Sequence, residues 1–248
     1  MRNPMKKPAA SLVFPDDMRP DFEGFGPAAF AFLNGLARNN ERAWFEAHRE
    51  TWARDVKFPM ECLVASFGRD AGLPVWGDPK RALFRIHRDV RFSANKQPYK
   101  PHVSAMLSRT GGRGDAGMLY IHVQPGASFV SSGFYMPDPA LLAAWRRRMV
   151  EDPKAFLAVV RAVSRKGAPH ALITREALKT LPHGFKEHAD SPVAEYLKWK
   201  HFLVHRPVTD AEAASRALVD VVRKLAKAAT PLLEYGWAAE AWVAPRRG

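Results

Sequence analysis

Between Phe84 and His102 the chain concentrates the residue types that hold an anion. Arg85, Arg88, Arg91, Lys96 and Lys100 supply cations, while Ser93 and Tyr99 supply hydroxyl donors. A guanidinium grips a phosphate or carboxylate through two parallel hydrogen bonds, and an ammonium adds a mobile point charge. Asp89 is the one acid between Lys80 and Lys100, against seven basic residues. It can orient an arginine or act as a base, and with Tyr99 and, more weakly, His102 it makes up the local groups able to move a proton. These residues predict a basic pocket for a small phosphate- or carboxylate-bearing ligand, with or without catalysis.

Strand parity singles out one of them. Leu83 to His87 alternates, so Phe84 and Ile86 share a face, and continued alternation carries Arg88 to the same buried side. There it needs a partner, either Asp89 beside it or a ligand anion. Two further readings stay open. Phe84, Phe92 and Tyr99 interleaved among cations are also the residue types of a nucleic-acid surface, although no helix-turn-helix, zinc-finger or RNA-recognition signature accompanies them. Alternatively, the run is a solvated basic face with a structural or protein-docking role.

The charge balance favours the run as a distinct feature. The net charge is +13; setting aside Arg2, Lys6, Lys7, Arg246 and Arg247 near the termini leaves +8, of which the Lys80 to Lys100 window holds +6. A concentrated positive field is what an anionic partner feels.

Other motifs lose on context. Gly112-Arg113-Gly114-Asp115-Ala116-Gly117 matches a dinucleotide fingerprint, but Met118 to Val123 reads as a strand where that site requires a helix N-terminus. A hairpin turn is expected there. His201 and His205 have helical spacing, yet on a strand they lie too far apart for one ion. His183 and His188 have no paired cysteines or carboxylate cluster nearby. No metal and no cofactor are expected, and neither a P-loop nor a G-x-S-x-G elbow is present. The single cysteine, Cys62, sits in an apolar helical pattern and reads as core.

The elements that must carry these residues follow from period and punctuation. Residues 1–20 lack an apolar period and read as a flexible arm. Pro27 opens a helix with Phe30, Leu33, Leu36 and Ala37 on one face; Asn40 is the expected cap of the next, and the pattern resumes from Val56 to Phe67 across Pro59. Strands are expected at Leu83 to His87, Val103 to Leu107, Met118 to Val123, Phe129 to Tyr135 and Phe202 to Val204. Helices return after Asp138-Pro139 and Asp152-Pro153, and Thr209 with Glu212 forms a capping box for a long helix to about Leu233. The expected fold is α+β, an antiparallel sheet of about four to five strands packed by N-terminal and C-terminal helices. It forms a single domain over 21–235, with a C-terminal tail over 236–248. Trp237 and Trp242 make that tail either a docking segment or a helix closing the core. No stretch reaches the roughly eighteen apolar residues of a membrane span, and Met1 to Pro8 lack a signal peptide's apolar block. A cytoplasmic location without a membrane partner is expected, in line with a lone thiol.

The run Phe84-Arg85-Ile86, Arg88-Asp89, Arg91-Phe92-Ser93, Lys96, Pro98-Tyr99-Lys100 resembles the signature of domain of unknown function 2461, a family of bacterial and fungal proteins. Tyr120 to Gly126 leading to Gly133 to Pro137, and Glu195 to Lys198 leading to Phe202, resemble it too, so the likeness spans roughly residues 22–235. Ser131-Ser132-Gly133 departs from the glycine cluster of the family's pattern. The resemblance implies a single domain in which the basic run belongs to the defining part of the fold. It implies no activity.

Overall fold

The structure, a computed structural model, describes residues 19–69, 71–91 and 93–243. Most of the expected arm, together with Phe92 and Pro245 to Arg247, lies outside them.

Helix α1 (Pro27–Arg38) starts at its proline, whose fixed φ suits a first turn. Its buried face is Ala29, Phe32, Leu33 and Leu36, whereas the expected Ala37 is exposed. Phe32 sets that phase by entering a ring cluster with Trp44, Phe45 and Trp52. In α2 (Arg42–Ala47) the cap is Glu41 and not Asn40, which bonds elsewhere. A π-helical turn over Trp52–Lys57 precedes α3 (Phe58–Ala65). Pro59 has no N–H for an i−4 bond, and the helix widens just ahead of it. Cys62 on α3 is buried, and burial pushes its thiol pKa up, so it fills core.

Five antiparallel strands form one sheet: β1 (Val103–Ser108), β2 (Met118–Val123), β3 (Ser128–Phe134), β4 (Ala171–Ile173) and β5 (Phe202–Val208), in the order β1-β2-β3-β5-β4. Leu83 to His87 is not one of them. It is extended but joins only through isolated bridges, Leu83 to Ala105 and His87 to Tyr99. Nor does it keep strict alternation: Leu83 and Ile86 pack on the core while Phe84 turns to the other side of the sheet. The Gly112 to Gly117 stretch closes the β1–β2 hairpin, with Gly111 and Gly114 at positive φ.

Two helices open behind capping carboxylates. Asp138 accepts from the Leu141 N–H ahead of α4 (Pro139–Glu151), and Asp152 from the Ala155 N–H ahead of α5 (Pro153–Val163). The Thr209–Glu212 capping box forms, but it serves a short helix, Asp210–Ala213; the long helix α6 (Ala217–Ala238) begins afresh. α6 also runs past the expected end. Gly236 lies so close to Phe134 and Trp145 that a Cβ would meet them at 2.1 and 2.5 Å. Residues 236–243 therefore belong to the packed body and are not a tail.

One apolar cluster extends from Phe22 to Ala239. Helices α3, α4 and α6 cover one face of the sheet, taking Ala105 and Leu107 from β1, Leu119 and Ile121 from β2, Val130 and Phe134 from β3, and Phe202 and Val204 from β5. Period-two alternation sends their neighbours to the opposite face, which no helix among the described residues covers.

Candidate functional site

On that second face lies a cleft of about 660 Å³. Its floor is built by alternation. Ser104 and Met106 come from β1, Met118, Tyr120 and His122 from β2, Phe129 and Ser131 from β3, and Leu203 from β5. Cross-strand register then sets the rings in a row. His102 and His122 lie 4.1 Å apart between centroids, His122 stacks on Phe129 at 4.6 Å, and Phe129 meets His205 at 5.0 Å. Met106, Met118 and Leu203 form a small apolar cluster beside them, joined by Phe84 and Tyr120.

The rim is cationic. Lys100 lies 5.5 Å and Arg113 5.3 Å from the Phe84 ring centroid, and Arg175 lies 5.5 Å from that of Phe129. Among the described residues none of the three forms an ion pair; Lys100 donates to the Arg85 carbonyl and Arg113 to that of Arg81. The carboxylate in the cleft wall, Asp115, is already held by Arg109 at 2.9 Å, and Arg109 also pairs with Glu240 at 2.7 Å.

Proton affinities follow from this enclosure. Burial, followed by the neighbouring His122 and the charges of Lys100 and Arg88, pushes His102 down to about 3. Burial likewise lowers His122 and His205, with Arg175 contributing to both. Burial raises the Tyr120 hydroxyl pKa. Lys100 is lowered by burial first and then by repulsion from Arg85, Arg113 and Arg88. The three imidazoles are therefore neutral at neutral pH, and the positive charge of the cleft rests on Lys100, Arg113 and Arg175.

The structure divides the sequence-predicted residues. Of the run, only Phe84, Lys100 and His102 line this cleft. Arg85 lies in the neighbouring one, and Arg88 is half-buried near Lys100. Arg91 and Lys96 are exposed, Arg91 bonding Asp89 and Lys96 the Val90 carbonyl. The Ser93 hydroxyl accepts from the Asn95 N–H. Of the two partners open to Arg88, Asp89 is not taken: it turns to Arg91 at 2.7 Å, and that bond holds the carboxyl below its usual range. Tyr99 is core, 3% exposed and stacked on Phe45 at 4.4 Å. Its backbone is clamped by Asn40, whose Oδ1 accepts from the Tyr99 N–H at 2.9 Å while Nδ2 donates to the Tyr99 carbonyl at 3.0 Å. Of the three proton-transfer candidates only His102 reaches the cleft, and its depressed pKa makes it a weak base.

The sequence reading missed Arg113, Arg175, Tyr120, His122 and Phe129. A signal existed for two of them, since Met118, Tyr120 and His122 alternate with Leu119, Ile121 and Val123 and mark a strand with a polar-aromatic outer face. Among the described residues no three His, Cys, Asp or Glu side chains gather as a metal site. His205 instead meets the Ser131 hydroxyl at 2.6 Å, and His201 accepts from the Met136 N–H.

A family model described as conserved hypothetical protein (DUF2461) matches residues 28–235. The chain belongs to that family. The match covers every strand of the sheet and the whole basic run, so in this DUF2461 protein the cleft is built from the family's own core and not from an appended segment. No curated protein and no solved structure matches the chain. Among the described residues no helix is long and apolar enough to cross a membrane.

Proposed function

We propose that the open-face cleft binds a small ligand that joins a flat or apolar body to a phosphate or carboxylate group. The observation that carries this reading is the pairing of an aromatic and thioether floor with three rim cations, Lys100, Arg113 and Arg175, that have no carboxylate partner among the described residues. A ligand cleft is mostly apolar with a few polar groups that fix orientation, which is the balance found here. Partly desolvated cations gain most from an anion, since hydrogen bonds to a charged group contribute about 1.5–3 kcal/mol each. The rings offer a stacking face, and the neutral imidazole of His102 offers nitrogens to a ligand's polar edge, whereas those of His122 already bond Tyr120 and Gln124. The reading is one of binding. It suits a cytoplasmic chain, in which the buried thiol of Cys62 meets a reducing setting.

Thermal-shift measurements with phenyl phosphate, inorganic phosphate and benzyl alcohol test it. Phenyl phosphate should stabilise the protein more than either half-ligand. Arg175→Ala should abolish that gain and Arg91→Ala, outside the cleft, should leave it intact. No stabilisation by phenyl phosphate, or stabilisation indifferent to Arg175→Ala, would overturn the reading.

A further inference from the structure

A second cleft, about 630 Å³, adjoins the first, and the two share Phe84 and Arg113 in their linings. Arg85 lines the second cleft, and its backbone carbonyl holds the Lys100 ammonium of the first. Lys100, Arg113 and Arg175 line the first cleft and Arg113 and Arg85 the second, and among the described residues none of the four has a carboxylate within 4 Å. Phe84 stands at the junction with two cations over its ring. Tyr135, 51% exposed and stacked on His201 at 4.8 Å, stands on the rim of the first cleft.

Resting on the binding reading above, we infer that the two clefts form one track for a single-stranded nucleic acid, with phosphates met by Arg175, Lys100, Arg113 and Arg85 and bases lying against Phe84, Tyr120, Phe129 and Tyr135. A ligand with one anionic group would compensate one or two of these cations and leave the others repelling each other. A polymer with a charge at every repeat compensates all four. Aromatic rings between the cations match the alternation of base and phosphate along a strand, and grooves that bind single strands without reading sequence combine these two elements. A duplex hides its bases in the stack and leaves them no face to lay against these rings.

Fluorescence anisotropy of the full chain with labelled oligothymidylates of roughly two, six and twelve nucleotides, bracketing the sizes such grooves cover, is the test. Affinity should rise at least tenfold from the shortest to the longest. Four neutralised phosphates predict a salt slope of about −2.8, or about a fifty-fold loss between roughly 50 and 200 mM salt. Arg85→Ala should lower the slope to about −2.1 and weaken only the longer oligonucleotides, leaving the phenyl phosphate response as in the parent. Phenyl phosphate binding without any gain from oligonucleotide length overturns the track and leaves the single cleft standing. No response to either probe overturns both. Tighter binding of a polyglutamate of equal charge also overturns the track, because it removes the need for bases.

Discussion

Asn40→Ala removes one carboxamide from a helix-loop junction, yet its effect should appear at the cleft. The Asn40 side chain bridges 59 residues to make both of its hydrogen bonds to the Tyr99 backbone. The partners on the other side leave those groups alone: Lys100 N–H donates to the Ile86 carbonyl and Arg88 N–H to that of Pro98, on either side of Tyr99. With Tyr99 only 3% exposed, alanine would strand a buried N–H and a buried carbonyl. Each lost bond contributes about 1 kcal/mol net and each stranded group adds a desolvation cost of about 1–3 kcal/mol, offset where water can follow. The expected loss is about 3 kcal/mol, or about 6–12 °C in Tm for a chain of this size. Urea unfolding gives the free energy, provided that the m value is unchanged. Asn40→Asp keeps the acceptor but loses the donor, and should fall short of the parent by at least about 1 kcal/mol. Because Lys100 follows the clamped residue directly and His102 comes three residues after it, phenyl phosphate should also stabilise Asn40→Ala less than the parent. An alanine variant within about 0.5 kcal/mol of the parent would refute the claim that this clamp holds the basic run in place.

Gly133 has φ 139°, and a Cβ there would lie 2.1 Å from the Phe202 carbonyl oxygen. Gly133→Ala should cost more than about 3 kcal/mol in urea unfolding, whereas Gly126→Ala, at φ 70° with open space around it, should cost about 1 kcal/mol; equal costs would deny the close approach. The folded-state pKa of His102 lies far below its unfolded value, so between about pH 6.5 and about 3 the unfolded chain binds the extra proton and stability falls as pH falls. The slope reaches at most about 1.4 kcal/mol per pH unit, and His102→Gln should flatten the stability profile in that window. Truncation after Tyr235 removes Gly236 and Trp237, over whose ring Arg109 stacks at 4.7 Å; a thermal melt should show a loss of at least about 3 kcal/mol, and an unchanged melt would restore the docking-tail reading.

Legibility in the sequence tracked how local the signal was. Capping pairs, the prolines at helix starts and the alternation of β2 are carried by adjacent residues, and they placed the α+β fold, the hairpin and most elements. The candidate site was legible by composition and not by geometry. The basic run is visible, but alternation does not hold from Phe84 to Arg88, where the backbone bridges to the sheet at Leu83 while His87 bridges only to Tyr99 of the same run, and so need not keep parity. Parity therefore predicts a buried arginine that the backbone does not deliver, and Asp89, one of its two possible partners, pairs with Arg91. Strand β4 escaped because three half-exposed residues carry no period, and with it went Arg175, two residues beyond its end. Tyr99 read as a donor because a phenol in a basic loop looks functional; only the distant Phe45 and Asn40 show that it is anchored in the core.

The extended approach to β1 bears on how the protein behaves in a crowded solution. A sheet whose outer strand leaves its N–H and carbonyl groups unpaired invites other chains to add on. Here Trp76 exchanges both backbone hydrogen bonds with Ser108, and Phe84 N–H donates to the Ser104 carbonyl, so the free side of β1 is occupied at both ends. At the opposite margin β4 is only three residues long. The same segment that brings cations to the cleft therefore screens the sheet from edge-to-edge association. Substitutions there aimed at binding should also be checked for aggregation, above all those that loosen the backbone around Leu83 and Phe84.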